Sequence, residues 1–288
     1  MLQKFDLHLH TNNSDGEHDV ETLVKEVRKA GIDLFAITDH DNVDSIEEIK
    51  DIDLTGLTYI NGIEISSLVD SKYKVHILGY NLTGDMSLIN EICNELKNAR
   101  GNRIYILASM LEEKYNIKLD KEDLDEIVEK NTTPGKPHLA ELMVRKGIVE
   151  SVREGFDKYL ENLKTDVSNR VDAVKAINAI KKAGGVVIWA HPKKVEKEYN
   201  IDFTELLDRL IELGIDGIEI YNCLHSLDDA KRYEMVAKEK KLITTGGSDY
   251  HGLGVKSTVP LGYLFNSGEE VTIDRNTLSI MEVINGNN

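Results

Sequence analysis

Two histidines separated by a single residue stand near the start of the chain, in the segment FDLHLH at residues 5–10. If this segment is a strand, its two-residue period places Asp6, His8 and His10 on one face and the three apolar residues on the other. The apolar face can then be buried while the two imidazoles lie side by side. His-x-His on a strand is a chelating arrangement, so the segment predicts a metal site. Two core histidines satisfied by hydrogen bonds are the alternative for this stretch taken alone.

Further His, Asp and Glu residues lie at the ends of other short apolar segments. They occur in Ser14-Asp15-Gly16, Thr38-Asp39-His40-Asp41, Asn61-Gly62-Ile63-Glu64, Val75-His76, Ala190-His191-Pro192 and Gly247-Ser248-Asp249-Tyr250-His251. Acids and imidazoles that converge without partners destabilise a fold unless cations bridge them, so the repeated pattern predicts one shared metal site. Imidazole and carboxylate ligands without thiolate favour Mn²⁺, Zn²⁺ or Fe²⁺.

The elements that must position these residues alternate between strands and helices. Strands are predicted at 4–10, 34–38, 58–65, 75–80, 186–190, 217–221 and 242–245, and helices at 20–30, at 170–183 and from Ser226 onward. This alternation predicts an α/β fold with a mainly parallel sheet, open or closed into a barrel, whose functional residues lie at the carboxyl ends of the strands. Residues 86–163 break the alternation, because their apolar residues recur at helical spacing. We therefore expect a barrel formed by 1–85 and 164–288, with a helical insertion over 86–163.

Composition excludes several classes of protein. The 288 residues are 41% hydrophobic and 30% charged, as in soluble globular proteins. No apolar run is long enough to span a membrane, and the first motif leaves no room for a signal peptide, so a cytoplasmic location is expected. The only cysteines, Cys93 and Cys223, cannot form a disulfide framework or a zinc ribbon. A net charge of −16 disfavours binding to long duplex nucleic acid, although a small phosphorylated ligand remains compatible with it.

Taken together and in order, the quoted motifs resemble those of the PHP superfamily, named for polymerase and histidinol phosphatase. The resemblance covers essentially the whole chain. It implies a distorted (β/α)7 barrel that holds three divalent metal ions at its carboxyl-terminal mouth.

The resemblance also implies which residues would hold each ion. The three sets are His8, His10, Glu64 and Asp249; Glu64, His76 and His191; and Asp15, His40 and His251. A hydroxide bridging the first two ions, held by Glu64, Asp249 and His191, would attack phosphorus in line. No Ser or Cys nucleophile is then required.

Two further segments are similar to one branch of the superfamily, which removes the 5′-phosphate from nucleotides and nucleoside 3′,5′-bisphosphates. These segments are Gly135-Lys136-Pro137-His138 in the insertion, which caps the active site in that branch, and Leu224-His225-Ser226 in the barrel. Members of this branch also trim short RNA from its 5′ end.

The substrate-binding candidates are Lys136, His138, His225, Arg100 and Arg103. Lys136 stands where Arg is expected, and a solvated helix face is the alternative for the two arginines, as it is for Lys193 and Lys194.

The leading interpretation is thus a metal-dependent phosphatase whose partners are small phosphorylated substrates or short RNA. Histidinol-phosphate phosphatase is the alternative enzyme. A non-catalytic, metal-binding regulatory module is the alternative of another class, which is disfavoured because every expected ligand position is filled. The sequence leaves the native metal and the oligomeric state open.

Overall fold

A computed structural model of the chain describes residues 4–130, 133–165, 168–256, 258–265 and 278–282. The chain divides into two compact units. We call Met1–Ile92 with Arg170–Asn288 the barrel unit and Cys93–Asn169 the helical unit. The domain limits inferred from the sequence, with an insertion over 86–163, stay a prediction.

In the part of the chain that the structure describes, eight strands form the sheet of the barrel unit. They are β1 (Lys4–Leu9), β2 (Ile32–Ile37), β3 (Thr58–Val69), β4 (Tyr73–Tyr80), β5 (Val171–Asp172), β6 (Val186–Trp189), β7 (Gly217–Tyr221) and β8 (Ile243–Gly246). The strand order is β1-β2-β3-β4-β6-β7-β8, and β5 pairs with β3. Pairing is parallel except where β4 pairs with β3 and with β6.

The two ends of this strand order are joined by backbone hydrogen bonds. The amide of His10 donates to the carbonyl of Tyr250 at 3.0 Å, and the amide of Tyr250 donates to the carbonyl of His8 at 3.3 Å. Tyr250 lies just beyond β8, so the first strand contacts the segment that follows the last, as in a distorted barrel. The predicted α/β class with a mainly parallel sheet is confirmed.

The strand that differs from a simple alternation is β4. It follows β3 through a tight turn, in which Asp70 and Ser71 both have positive φ and the amide of Lys72 donates to the carbonyl of Val69. Positive φ at both central residues gives a tight hairpin connection, so β4 runs antiparallel to its neighbours. The short β5 is absent from the sequence prediction, because a two-residue strand leaves no periodic pattern.

The helices, in chain order, are α1 (Val20–Lys29), α2 (Asp44–Glu48), α3 (Ser87–Tyr115), α4 (Lys121–Lys130), α5 (Lys136–Arg145), α6 (Val152–Gly155), α7 (Ala173–Lys182), α8 (Pro192–Tyr199), α9 (Phe203–Leu213) and α10 (Leu227–Lys240). Side-chain caps fix several starts. Ser226 and Asp229 form a reciprocal capping box at α10. Asp172 caps α7, which therefore begins later than the predicted residue 170.

The helical unit is built around an apolar core. Ile104, Leu107 and Leu111 of α3 are fully buried, as their helical spacing predicts, and they share a cluster with Leu139 and Met143 of α5. Among the described residues, no helix is both long and apolar enough to cross a bilayer.

Candidate metal centre

The barrel fold brings the nine predicted metal ligands to one region of the barrel unit. His8 lies in β1, His10 immediately follows this strand, and both are fully buried; His40 follows β2. Glu64 does not end its strand, contrary to the sequence prediction, because β3 continues to Val69 and pairs Glu64 with Leu78 of β4. His76 lies near the start of β4. Since β4 runs antiparallel, its first half reaches the end of the sheet where the parallel strands finish.

Two further ligand candidates lie just after later strands, at residues with positive φ. His191 follows β6 with a φ of 29°, and Asp249 follows β8 with a φ of 57°. This left-handed region is sparsely populated by residues other than Gly, although Asn, Asp and His enter it more readily than most. Backbone strain of this kind gathers at functional sites, where the surrounding structure holds it in place.

The first group of side chains that could share an ion is His8, His10, Glu64 and Asp249. Glu64 Oε2 lies 3.1 Å from His8 Nε2 and 3.3 Å from His10 Nε2. Asp249 Oδ1 lies 3.6 Å from His8 Nε2 and 3.3 Å from His10 Nε2. Four ligands each about 2.1 Å from a zinc ion in a tetrahedron would be about 3.4 Å apart. The four donor atoms are therefore spaced as ligands around a single ion.

The second group shares the same glutamate. Glu64 Oε1 lies 2.8 Å from His76 Nδ1 and 3.0 Å from His191 Nε2, and Glu64 Oε2 lies 3.1 Å from His40 Nδ1. The set with mutual ligand spacing is His40, Glu64 and His76. His191 contacts the same carboxylate, and its ring centroid lies 5.0 Å from that of His76. The two oxygens of Glu64 thus face different sets of imidazoles.

The third group surrounds Asp15, whose side chain is 44% exposed. Asp15 Oδ1 lies 3.2 Å from His251 Nε2 and 3.7 Å from His10 Nδ1, and Asp15 Oδ2 lies 4.0 Å from His40 Nε2. The set with mutual ligand spacing is His10, Asp15, His40 and His251. His10 and His40 therefore each offer one ring nitrogen to two different groups.

Several buried polar atoms in these groups lie close to one another but form no hydrogen bond of suitable geometry. They are His8 Nε2, both ring nitrogens of His10, His40 Nδ1, Glu64 Oε2 and His191 Nδ1. Buried polar atoms in native proteins are almost always satisfied, so such a concentration needs an explanation. Divalent cations fit this donor set, because the atoms named in His8, His10, His40 and Glu64 all belong to residues in groups with ligand spacing.

The pKa shifts of the buried groups are also consistent with the binding of divalent cations. Burial would raise the pKa of Glu64, but His40, His8 and His76 hold it well below its usual range. Burial would lower the pKa of His10, but Asp249 and Glu64 raise it to about 9. The carboxylates thus favour positive charge on an adjacent imidazole, and metal ions would displace such protons on binding.

A buried carboxylate outside the predicted ligand set supports two of the ligands. Glu219 of β7 is fully buried, and its Oε1 lies 2.9 Å from His8 Nδ1. Its Oε2 accepts hydrogen bonds from the amide of His191 at 2.8 Å and from Asn222 Nδ2 at 3.0 Å. A His8 Nδ1–H donated to Glu219 leaves His8 Nε2 as the free donor atom toward the metal centre. Glu219 is absent from the sequence prediction, because its only signal is an acid inside an apolar strand.

Two more buried acids hold the loops that carry ligands. Asp6 accepts hydrogen bonds from the amide and hydroxyl of Ser248, next to Asp249. Burial raises the pKa of Asp6 to about 6, although these hydrogen bonds oppose the shift. Asp39 accepts from the amide and hydroxyl of Thr11, both at 2.7 Å, at the start of the loop that carries Asp15. These acids position ligands without belonging to the ligand groups themselves.

The five substrate-binding candidates lie in both units. His225 is fully buried in the barrel unit, where its Nδ1 lies 2.9 Å from the carbonyl of Ile220 and burial lowers its pKa to about 3. In the helical unit, His138 Nδ1 accepts from the amide of Gly135 at the start of α5. This contact gives His138 a structural role, and substrate binding by either histidine stays a prediction.

The three cationic candidates gather within the helical unit. Burial, the charge of Arg103 and that of nearby Lys164 all lower the pKa of Lys136, while the pKa of Arg103 is lowered by burial and by Arg100. Lys136 is partly exposed and donates to the carbonyl of Glu161 at 3.3 Å. Contact of these side chains with substrate stays a prediction.

Comparison with known proteins relates the chain to named enzymes. It is 28% identical to the phosphoribosyl 1,2-cyclic phosphate 1,2-diphosphodiesterase of Eggerthella lenta, over 86% of this chain and 94% of the relative. It is 30% identical to the 5′-3′ exoribonuclease Rnm of Escherichia coli K12, over 90% of each chain. It is 27% identical to the 3′,5′-nucleoside bisphosphate phosphatase of Chromobacterium violaceum, over 88% of this chain and 89% of the relative.

A match to a solved structure and a match to a family sequence pattern point to the same kind of protein as these relatives. The fold matches that of a candidate metal-dependent phosphoesterase from Bifidobacterium adolescentis with a TM-score of 0.75. The two chains are 28% identical, and the match covers 98% of this chain and 96% of the other. The sequence pattern of the PHP domain matches residues 6–167, which include six of the nine predicted ligands. The chain belongs to the PHP domain family.

Proposed function

We propose that the protein uses three divalent metal ions to remove the 5′-phosphate from nucleoside 3′,5′-bisphosphates, nucleotides or short 5′-phosphorylated RNA. Membership of the PHP family makes the chain a metal-dependent phosphoesterase. The number of ions and the identity of the substrate are the parts that we propose.

The observation that carries the proposal is the position of Glu64. Its two carboxylate oxygens are fully buried and face five imidazoles within 3.3 Å. One carboxylate placed between two groups of nitrogen donors is suited to bridging adjacent cations. In two-metal sites, a pair of ions clamps the attacking and leaving oxygens of an in-line displacement.

Metal ions and the residues that position their ligands would contribute to catalysis in different ways. Bound divalent ions supply Lewis acidity and make water available as a nucleophile near neutral pH. Lys256 Nζ lies 2.8 Å from Asp249 Oδ2, which leaves Asp249 Oδ1 directed at His8 and His10. Glu219 fixes the ring of His8, and it also holds the backbone of His191. Rigid ligands of this kind keep the donor atoms in place as charge develops in the transition state.

Two of the three named relatives support the choice of substrate. The Escherichia coli protein is named for exoribonuclease action in the 5′-3′ direction, and the Chromobacterium violaceum protein for a nucleoside bisphosphate. The Eggerthella lenta protein is named for a cyclic phosphate diester. This compound is therefore an alternative substrate that the assay must include.

The test is phosphate release by the protein reconstituted with Mn²⁺. The substrates are adenosine 3′,5′-bisphosphate, 5′-AMP, 3′-AMP, a short 5′-phosphorylated RNA, phosphoribosyl 1,2-cyclic phosphate and histidinol phosphate. We expect the highest kcat/KM for the bisphosphate or the RNA, and loss of turnover after exhaustive chelation. Preference for histidinol phosphate or the cyclic phosphate would contradict the proposed substrate. If none of the six substrates releases phosphate although metals are shown to be bound, the non-catalytic alternative would be favoured.

A further inference from the structure

A cavity of about 760 Å³ opens beside Asp249 in the barrel unit. It is bordered by α8 and by the segments that follow β7 and β8. Three lysines line it: Lys194, Lys197 and Lys256. Apart from Asp249, Glu198 is the one acid among the lining residues, and it pairs with Lys74 at 3.0 Å. The cavity therefore carries an excess of positive charge in a chain whose net charge is −16.

The three lysines differ in how they are engaged. Lys256 is paired with Asp249. Lys194 and Lys197 are exposed, and in the part of the chain that the structure describes neither Nζ atom has a hydrogen bond or an ion pair. They lie three residues apart on α8, so they share one face of that helix. Lys194 lies three residues after His191, and its backbone amide donates to the carbonyl of His191 at 3.0 Å, so this lysine starts close to the candidate metal centre.

The neighbouring Lys193 provides a contrast. Its Nζ lies 2.6 Å from Asp229 Oδ1 and 3.3 Å from Glu196 Oε2. Lys193 thus forms ion pairs with Asp229 of α10 and with Glu196, whereas Lys194 lines the cavity. The two lysines are therefore not equivalent, although they are adjacent in the sequence.

The other part of the lining is apolar. It includes Cys223, Leu224, Val255 and Val259. Cys223 and Val259 are buried, and Val255 is 55% exposed. An apolar wall beside two unpaired cations suits a ligand that combines a flat organic group with a separate anion.

We propose that this cavity binds the leaving-group side of the substrate, with the nucleoside against Leu224 and Val259 and a second phosphate at Lys194 and Lys197. This inference rests on the proposed function and specifies it further. The shared chemistry is a phosphate on the ribose 3′ oxygen, either a terminal monoester or the first internucleotide diester of an RNA. Lysine suits this task because its ammonium is a point charge that tolerates either form.

The first test compares two substrates that differ only in the second phosphate. The double variant K194A/K197A is expected to lower kcat/KM for adenosine 3′,5′-bisphosphate by at least about tenfold, as loss of charge-assisted contacts does. For 5′-AMP the change should be less than about threefold. The control is K25A/K29A on α1, which removes the same charge from an exposed helix face. A 5′-phosphorylated dinucleotide, assayed in parallel, shows whether the diester uses the same lysines.

The second test does not depend on turnover. Calorimetry on the Mn²⁺-loaded protein should show that 3′-AMP binds more tightly than adenosine, and that K194A/K197A removes this difference while K25A/K29A retains it. Equal losses on the bisphosphate and on 5′-AMP would overturn the inference, since the lysines would then act on the metal centre in general. Equal binding of 3′-AMP and adenosine to the wild-type protein would overturn it as well. Failure of the wild-type protein to hydrolyse any 5′-nucleotide would instead remove the proposed function.

Discussion

Among the described residues, both compact units have apolar cores, but the barrel unit also buries a cluster of imidazoles and carboxylates. In the barrel unit, His8, His10, Glu64 and Glu219 are fully buried and surround one another. In the helical unit the core is apolar, and ion pairs such as Lys121 with Asp125 lie at the surface. Arg100 is an exception, since it is buried within the helical unit.

Buried apolar and buried charged side chains have different effects on stability. Apolar burial stabilises a fold directly, whereas buried charges cost free energy unless they are paired or coordinate metals. The helical unit can therefore be understood from packing alone. In the barrel unit, packing leaves several buried imidazole and carboxylate atoms without hydrogen bonds, and divalent cations would give them partners. Variants in the two units should accordingly fail in different measurements.

The largest effect is expected from His10→Ala in the barrel unit. His10 offers a ring nitrogen to two of the three ligand groups, so its loss should lower turnover by about a thousandfold or more. Metal content, measured by mass spectrometry, should fall with it. His18→Ala is the control, because His18 contacts the hydroxyl of Tyr250 outside the ligand groups. Near-normal turnover in His10→Ala would contradict the role given to His10 in the metal centre.

Leu107→Ala should cause the next largest effect, in the helical unit. Leu107 is fully buried, and truncation of a buried leucine typically costs about 2–5 kcal/mol of unfolding free energy. Hydrogen exchange should accelerate within 93–169, while metal content stays unchanged. Ile106→Ala on the same helix is the control, since this side chain is 37% exposed. A loss of bound metal in Leu107→Ala would show that the two units do not fail separately.

Glu219→Gln should produce a smaller change, confined to the metal centre. The amide keeps an acceptor for the amide of His191 but removes the charge that orients His8. Loss of such a supporting carboxylate typically lowers metal affinity by roughly 10–100-fold. Competition with a chelator measures this affinity. Glu212→Gln, which changes an exposed acid paired with Arg209, is the matched control, and equal affinities in the two variants would contradict the role given to Glu219.

Lys146→Ala should have the smallest effect. Its Nζ pairs with Asp120 and Asp123 at the surface of the helical unit, where solvent screens such pairs. We expect no resolvable change in melting temperature or in metal content. A clear drop in either quantity would mean that surface charge matters more to this unit than its apolar core suggests.

Much of the fold could be predicted because its signals are periodic. Alternation along residues 5–10 predicted that His8 and His10 share a face; β1 ends at Leu9, with His10 directly after it, and helical spacing identified the fully buried residues of α3. The direction of β4 could not be predicted in the same way. The turn at Asp70 and Ser71 lacks the Asn-Gly or Asp-Gly pair that usually marks a tight hairpin, so the antiparallel course of β4 was not evident.

The candidate site was only partly visible in the sequence. Residues that follow strands in recognisable motifs, such as His40 and Asp249, could be identified from the motifs themselves. Glu219 could not, because a single acid in an apolar strand does not show which imidazole it contacts. Lys194 and Lys193 are also alike in sequence, and only the three-dimensional surroundings of each distinguish them.

The left-handed backbone at His191 and Asp249 has an evolutionary consequence. If both residues bind metal, the choice of amino acid at these positions is limited by two requirements: a side chain that can bind a cation and a residue type that tolerates positive φ. A duplicated gene that lost its catalytic role would be released from the first restriction and not from the second. Such an inactive copy is expected to change toward Asn or Gly at these two positions, while His8 and His10, which have no positive φ, would be free to become apolar. That substitution pattern would mark inactive descendants of this enzyme in genome sequences.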